Sequence, residues 1–256
     1  MMKRLLAPTY VTFIYCFFYL PILILVFYSF NDAHYSLIWR GFTTAWYQLL
    51  ITDQDLWLSA IHSVFLGFCA ATFATSIGAV TASSLFRYRF YGRKILHTSI
   101  FVLLLSPDIV LGTALLIMYT LANLPLGFFA LLLSHIAFCL PFVVLTLFSR
   151  MKSLDKNIFE AARDLGATDT TIFFKIIIPL LWPAILSSWL LSFTLSLDDV
   201  VISYFVSGPE FEILPLKIYS LAKLGVKPEI NALCSVMFVV TLIIVMTSQF
   251  ILRKKN

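Results

Sequence analysis

Long apolar runs without a single charged side chain dominate the sequence. Residues 5–31, 56–86 and 230–252 contain no Asp, Glu, Lys or Arg. A helix crosses the hydrocarbon core of a bilayer with about 20 apolar residues, so each run is long enough to span it. Hydrophobic residues make up 61% of the 256 residues and charged residues only 12%, which is too apolar for a soluble domain. The sequence therefore predicts an all-α integral membrane protein.

Six membrane spans can be placed along the chain. The first follows Lys3 and Arg4, but its apolar run is too long for a signal peptide and no Ala-x-Ala cleavage site follows it, so we expect a retained anchor. The six spans are predicted at residues 10–30, 56–86, 95–121, 128–148, 180–205 and 230–252. Six crossings place both termini on the same side of the membrane.

Basic residues predict the orientation. Loops rich in Lys and Arg stay in the cytoplasm. Fourteen of the 18 Lys and Arg residues fall on the side of the two termini, at Lys3, Arg4, Arg87, Arg89, Arg93, Lys94, Arg150, Lys152, Lys156, Arg163, Lys175, Arg253, Lys254 and Lys255. We therefore expect cytoplasmic termini. The net charge of +5 reflects this topology, and the sequence has no nucleic-acid recognition motif.

Residues 150–179 form the longest polar interruption, which the same count places in the cytoplasm. Asp155 suits the N-cap of a short helix, because its carboxylate can accept from the free amides of the first turn. Gly166 suits the end of that helix, where a positive φ is often needed. Helical spacing gives this segment one apolar stripe, formed by Ile158, Ala161, Ala162 and Leu165.

A second short helix is expected to begin at Thr168 or Asp169 and to run to Pro179, where the next span takes over. Beside Glu160, two alanines leave room for close approach by another surface. The pattern alone fits two structures equally well. It predicts either a docking element for a partner protein or an amphipathic helix lying on the bilayer.

The spacing of small and apolar residues in this segment resembles a known signature. Glu-Ala-Ala, three residues, Gly, nine residues and Ile-x-Leu-Pro is the cytoplasmic signature of the membrane subunits of bacterial ABC importers that work with a periplasmic binding protein. This chain differs only at Ile178, which replaces Leu and keeps the apolar character. It matches the signature at Glu160, Ala161, Ala162, Gly166, Ile176 and Pro179.

The resemblance implies a permease of the bacterial inner membrane, whose last five spans form a MetI-like type I importer core. It divides the chain into residues 1–56, an N-terminal span with a periplasmic loop, and residues 57–256, the transmembrane domain with the coupling loop 150–179. In that family the helix at Glu160 inserts into a groove of a separate ATPase subunit, which binds ATP and Mg²⁺. The chain has no phosphate-cradling loop, so we expect a transport subunit without a cofactor and not an enzyme.

Carboxylates within the predicted spans indicate a cationic substrate. Asp108, Asp198 and Asp199 each cost about 2.5 to 3.5 kcal/mol on membrane-insertion scales, and no Lys or Arg lies in a span to offset them. Pro107 lacks an amide hydrogen and is expected to leave the Leu103 carbonyl free beside Asp108. Neighbouring side chains diverge by about 100° on a helix, so only one of the adjacent pair would face a pathway. Hydrogen-bonded or protonated packing residues are the alternative.

Sequence blocks spread over nearly the whole chain resemble the permeases of spermidine/putrescine importers. The resemblance implies a polyamine substrate, without ranking the two amines. It also implies an assembly with a second related permease, two copies of an ATPase subunit and a periplasmic polyamine-binding protein, which would dock on the outer loops 31–56 and 207–228. The blocks are residues 41–44, 106–110, 138–142, 197–201, 212–217 and 226–229.

Three other functions remain open at this point: an ABC importer of another solute, a secondary transporter driven by an ion gradient, and an intramembrane aspartyl protease. The protease is disfavoured because Asp198 and Asp199 diverge on a helix and cannot share a proton. His135 is expected to be a hydrogen-bonded packing residue. Unpaired, inert thiols are expected at Cys16, Cys69, Cys139 and Cys234, which lie far apart in apolar segments.

Overall fold

The computed structural model is a set of helices joined by short connections. Of the basic residues counted above, Lys156, Lys254 and Lys255 lie outside the described residues, as do the side chains of Lys3, Arg4 and Arg253. Residue 226 of the last sequence block also lies outside them. The structure describes residues 2–33, 38–155, 157–223, 225 and 227–253, and the side chains of 10–33, 38–155, 157–223, 225, 227–243 and 246.

Helices account for most of the described chain, in agreement with the predicted all-α class. Within the described residues, the bridge between Asn31 and Phe42 is the only strand-like pairing. The helices are α1 (Met2–Tyr28), α2 (Ala45–Thr52), α3 (Gln54–Arg87), α4 (Arg93–Leu105), α5 (Asp108–Leu121), α6 (Phe128–Lys152), α7 (Asn157–Asp164), α8 (Asp169–Ile172), a π-helical turn (Phe173–Ile177), α9 (Ile178–Asp198), α10 (Val201–Val206), α11 (Leu214–Lys223) and α12 (Pro228–Arg253).

Several of these helices are long and apolar enough to cross a membrane. Four qualify, namely Tyr10–Tyr28 of α1, the whole of α3, the whole of α6, and the continuous helix Asp169–Asp198. The bent pair α4 and α5 makes a fifth if it counts as one span. In α12 the described apolar part is Pro228–Ile243. The chain is thus a multi-pass membrane protein, and its sixth span stays a prediction.

The third predicted span is not straight. The direction of the helix axis changes by 116° between α4 and α5. Pro107 lies between them with an extended backbone (φ −60°, ψ 136°), and it cannot donate the hydrogen bond that would continue α4. The prediction that the Leu103 carbonyl is free was wrong, because the Ser106 amide donates a hydrogen bond to it at 3.3 Å.

The fifth predicted span is also interrupted, and it begins earlier than expected. α9 ends at Asp198, because Asp199 has an extended backbone with ψ of 123°. At the other end Pro179 does not separate two helices, since α8, the π-helical turn containing Ile176, and α9 form one continuous helix. The wider π turn just before Pro179 accommodates a residue that lacks an amide donor.

The first of two compact units comprises residues 1–58 and 217–256. Within it α12 packs against α1 and α2. The buried Asn31 organises the connection after α1, because its Oδ1 accepts from the Arg40 amide at 2.9 Å and its carbonyl accepts from Trp46 Nε1 at 2.9 Å. The predicted polar loop therefore has a defined backbone where it is described.

The second unit comprises residues 59–216. α6 is its central helix, packing along α9 and against α4, α5 and α10. Glycine lets α3 approach α6 closely, since a Cβ at Gly78 would lie 2.5 Å from the Val143 side chain. Completely buried apolar side chains on α6 form the centre of this unit, among them Leu131, Val143, Leu147 and Met151.

Candidate functional site

The predicted coupling loop begins with α7, whose two ends are capped as the sequence indicates. Asp155 Oδ1 accepts from the Asn157 amide at 3.0 Å. At the other end Gly166 has a φ of +81°. The Gly166 amide donates to the Arg163 carbonyl at 2.8 Å, and the Ala167 amide donates to the Ala162 carbonyl at 3.0 Å. This pair of hydrogen bonds defines a Schellman motif. The capping predictions for Asp155 and Gly166 are confirmed.

The predicted apolar stripe of α7 is only partly buried. Phe159 and Ala162 are buried, at 7% and 8% exposure, and pack into the core of the second unit. The other residues of the predicted stripe, Ile158, Ala161 and Leu165, are exposed. Because Leu165 is 89% exposed, this apolar surface is available for a partner. Glu160 is also exposed.

An ionic network connects this loop to the end of α3. Arg87 donates to Asp169 Oδ1 at 2.6 Å and Arg163 donates to the same oxygen at 3.3 Å. The Arg87 guanidinium also lies 5.9 Å from the centre of the Phe159 ring. Partial burial, and then a hydrogen bond to Asp169, raise the pKa of Tyr88. A protonated Tyr88 hydroxyl therefore adds to the network at neutral pH.

The intramembrane acids lie at the two helix breaks. Asp108 is the first residue of α5 and is exposed. Asp198 is the last residue of α9 and is exposed as well. Asp199, in contrast, is only 7% exposed and serves as a cap for α10. As expected for adjacent positions, the two neighbouring carboxylates have different surroundings, and we propose no substrate contact for Asp199.

α5 packs closely on α10, which follows the second helix break. A Cβ at Gly112 would lie 2.8 Å from the Phe205 ring and 3.3 Å from Ile202 Cα, so only glycine allows this approach. Gly127, just before α6, donates its amide to the Val206 carbonyl at the end of α10 at 3.4 Å. The short helix α10 is therefore held against both α5 and the start of α6.

Asp199 belongs to a buried hydrogen-bond network. Its Oδ1 accepts from the Ile202 amide at 3.2 Å, and its Oδ2 accepts from the Ser203 amide at 2.8 Å and the Ser203 hydroxyl at 2.7 Å. His135 on α6 lies within 2.6 Å of Ser196 and 2.9 Å of Ser203. The prediction that His135 is a hydrogen-bonded packing residue is confirmed.

The connection between α10 and α11 is also anchored to α3. His62 Nδ1 lies 3.1 Å from the Glu212 carbonyl, and its ring stacks on Phe211 with centroids 4.0 Å apart. One residue further along α3, the Ser63 hydroxyl accepts from the Leu214 amide at 2.7 Å. These contacts give the second predicted outer loop a defined position on the second unit.

Sequence reasoning missed several residues that hold these sites together. The sequence pattern indicated only the membrane orientation at Arg87 and only the start of a helix at Asp169. Nothing in their own neighbourhoods reveals a contact across 82 positions of sequence. Gly112 offered a weak signal, since a glycine within an apolar helix often marks close approach of another backbone. In the described part of the chain, no cluster of three His, Cys, Asp or Glu residues could hold a metal ion.

Apolar helices of spanning length, a capped loop with an exposed apolar face, and acids at helix breaks together define a polytopic membrane transport component. Residues 74–255 match the family described as "Binding-protein-dependent transport system inner membrane component". The chain belongs to this family.

Curated relatives match the chain over most or all of its length. The "Spermidine/putrescine transport system permease protein PotC" of Escherichia coli (strain K12) is 51% identical over 256 residues, covering 100% of this chain and 97% of that relative. The protein of the same name from Haemophilus influenzae is 49% identical, with 100% of each chain covered. The "Putrescine transport system permease protein PotI" of Escherichia coli (strain K12) is 41% identical over 86% of this chain and 81% of its own length.

Solved structures share the fold at low sequence identity. A bacterial ABC transporter that imports the acidic polysaccharide alginate has a TM-score of 0.74 at 17% identity, covering 97% of this chain and 95% of that chain. The MetNI methionine ABC transporter, in an inward-facing conformation, has a TM-score of 0.64 at 16% identity, covering 80% and 99%. The MetI-like permease core expected from the sequence is therefore the observed fold class.

Proposed function

We propose that this chain is one permease subunit of an ATP-driven importer that carries polyamines across the bacterial inner membrane. The relatives named for spermidine/putrescine transport, at 51% and 49% identity over all of this chain, support that substrate class. The chain crosses the membrane six times, with both termini in the cytoplasm. The distribution of Lys and Arg supports this orientation.

One observation carries the choice of a cationic substrate. The carboxylates of Asp108 and Asp198 are exposed at breaks in apolar helices, and α5, α9 and α10 contain no Lys or Arg. An ionised carboxylate in a membrane needs a cation or water to offset its cost. A polyamine with ammonium groups at both ends supplies that cation to each acid in turn as it passes.

The coupling loop is proposed to connect this subunit to a separate ATPase subunit, which binds ATP and Mg²⁺. The exposed face of α7, with Glu160, Ala161 and Leu165, inserts into a groove on that subunit. Movement of α7 and α8 then passes to α3 through two contacts. Phe159 meets the Phe86 ring at 6.0 Å, and Asp169 holds Arg87.

The complete transporter contains a second related permease, two ATPase subunits and a periplasmic polyamine-binding protein. The binding protein, loaded with amine, docks on the loops 31–56 and 207–228. Closure of the ATPase dimer on ATP opens the pathway outward, the amine passes Asp108 and Asp198, and hydrolysis resets the pathway inward. In this scheme each nucleotide state favours one conformation of the permease pair.

The test is to purify the complex through this chain and to reconstitute it in proteoliposomes. ATP hydrolysis should rise when the binding protein is added with spermidine or putrescine, and the stronger stimulus identifies the preferred amine. Asp108→Asn should lower uptake by about tenfold, the order expected when one charge pairing is lost, and Asp108→Glu should retain most of it.

Three results would each contradict part of the proposal. Uptake that survives ATP depletion but collapses with the membrane potential would identify a secondary transporter. Full activity of Asp108→Asn at limiting amine would show that this carboxylate has only a structural role. Stimulation of ATP hydrolysis by a binding protein for another solute, and not by either amine, would keep the ABC importer and change its substrate.

A further inference from the structure

A single histidine on α6 bridges the break between α9 and α10. His135 is 1% exposed. Its Nδ1 lies 2.6 Å from the hydroxyl of Ser196, in the last turn of α9, and its Nε2 lies 2.9 Å from the hydroxyl of Ser203 on α10. The two ends of the interrupted helix are therefore held by opposite edges of one rigid ring.

Counting protons fixes the direction of each hydrogen bond. The Ser203 hydroxyl has one proton, which it donates to Asp199 Oδ2 at 2.7 Å. Its oxygen must then accept from His135, so Nε2 carries a hydrogen. Asp199 itself lies 3.6 Å from Nε2, too far for a direct hydrogen bond, and Ser203 relays the contact.

A neutral imidazole satisfies every partner in this arrangement. With its hydrogen on Nε2, a neutral ring accepts at Nδ1 the proton of the Ser196 hydroxyl. The network then runs in one direction, from Ser196 through His135 and Ser203 to the Asp199 carboxylate.

A serine, a histidine and an aspartate also form the active sites of hydrolases, but this arrangement cannot act as one. Ser196, His135, Ser203 and Asp199 are 3%, 1%, 0% and 7% exposed, so no substrate reaches a hydroxyl. The buried network is therefore suited to fixing geometry and not to chemistry.

We propose that His135 is a positioning residue for the substrate pathway: by bridging the α9–α10 break it fixes the direction in which Asp198 presents its carboxylate. Asp198 is exposed and directly precedes Asp199, whose side chain accepts three hydrogen bonds from α10. Movement of α9 relative to α10 at this junction would break one of the two His135 contacts. This inference rests on the proposed function, because it assigns His135 a role in a pathway that the proposed function defines.

Two amide substitutions separate the two halves of the bridge. The glutamine amide reaches the place of Nε2 and can donate to Ser203, whereas the asparagine amide reaches only the place of Nδ1. Each substitution breaks one side of the bridge, so in proteoliposomes of the complete transporter both should lower the amine transported per ATP hydrolysed, and His135→Asn, which loses the Ser203 contact, should lower it by about tenfold. A loss of folded protein alone would reduce transport and ATP hydrolysis equally and leave the ratio unchanged.

Ser203→Ala gives the same test without changing the buried ring, and it should lower the ratio as His135→Asn does. The control is Cys139→Ala, one turn further along the same face of α6 and also completely buried, which should change the ratio less than about twofold. Equal ratios for Cys139→Ala, His135→Asn and Ser203→Ala would overturn the proposal.

A double-mutant cycle with Asp198→Asn tests whether His135 acts through that carboxylate. If it does, His135→Asn should have little further effect once Asp198 has lost its charge, because the two substitutions remove one interaction. If the two substitutions instead lower transport per ATP independently, so that their effects multiply, the inference is overturned while the proposed polyamine transport stands. Absence of amine transport by the wild-type complex would instead overturn the proposed function, and this inference with it.

Discussion

Arg87 at the end of α3 donates a 2.6 Å hydrogen bond to the carboxylate of Asp169 at the start of α8. The Arg87 side chain is 5% exposed, whereas the Asp169 side chain is 54% exposed. Asp169 is the carboxylate that pairs with the buried Arg87 guanidinium. Arg87 would remain charged if that carboxylate were removed. This pair therefore makes the position of the coupling loop depend on a membrane helix.

The substitution Asp169→Asn should loosen this connection. We expect uptake per ATP hydrolysed to fall by about threefold, since Arg87 and Arg163 lose the negative charge of their shared acceptor, and Asp169→Glu should restore much of it. The measurement is the ratio of amine transported to phosphate released in proteoliposomes. Equal ratios for Asp169→Asn and the wild type would show that the pair does not transmit movement.

Reversing the charge of Glu160 should disrupt docking on the ATPase subunit. Glu160 is exposed in the first turn of α7, where a positive charge disfavours the helix by only about 0.3 to 1 kcal/mol, so Glu160→Lys should still fold and insert. ATP hydrolysis should then no longer respond to the loaded binding protein, with Glu160→Gln intermediate. Unchanged uptake by Glu160→Lys in inserted protein would remove the coupling role of this residue.

Gly166 should tolerate only residues that accept a left-handed backbone. Its φ is +81° and a Cβ there would meet nothing within 4 Å, so the cost of a substitution comes from the backbone alone. Gly166→Val should strain the end of α7 by about 1 to 2 kcal/mol and weaken coupling, while Gly166→Asn should be milder. Co-purification of the ATPase subunit and transport per ATP are the measurements, and equal behaviour of Val and Asn would exclude this explanation.

A larger residue at Gly112 should separate α5 from α10. In Gly112→Val the new side chain would meet the Phe205 ring and Ile202 Cα, and overpacking of this kind costs about 1 to 3 kcal/mol. We expect a lower Tm of the complex and reduced uptake, because α5 can no longer approach α10 as closely. Ala114→Val places the same side chain at an exposed position of α5 and is the control. Similar losses from both variants would argue against a special role for the close approach.

Much of the fold follows from the sequence because hydrophobic length and helix caps are local properties. The charge-free runs predict α3 and α6 to within about two to four residues at each end, the usual precision of such boundaries. Asp155 and Gly166 mark the ends of α7, because an N-cap and a positive φ depend on residues that are close in the chain. The proposed coupling loop could therefore be located before its surroundings were known.

Only the tertiary structure shows which side chains are buried and where the spans are broken. Pro107 indicates a defect in the third span, but the bend of 116° depends on what α4 and α5 pack against. The break after Asp198 has no proline or glycine to announce it. The extended Asp199 is held by hydrogen bonds from Ile202 and Ser203 in the next turn, and Ser203 is in turn bonded to His135, which is distant in sequence.

The chain's own periodicity and capping residues thus determine where helices form and which class of protein they build. Whether Asp199 is buried while Asp198 is exposed, and which face of α7 stays open to a partner, is decided by other helices. Burial and hydrogen bonding depend on groups brought together from distant parts of the chain, and a local sequence pattern contains no information about those partners.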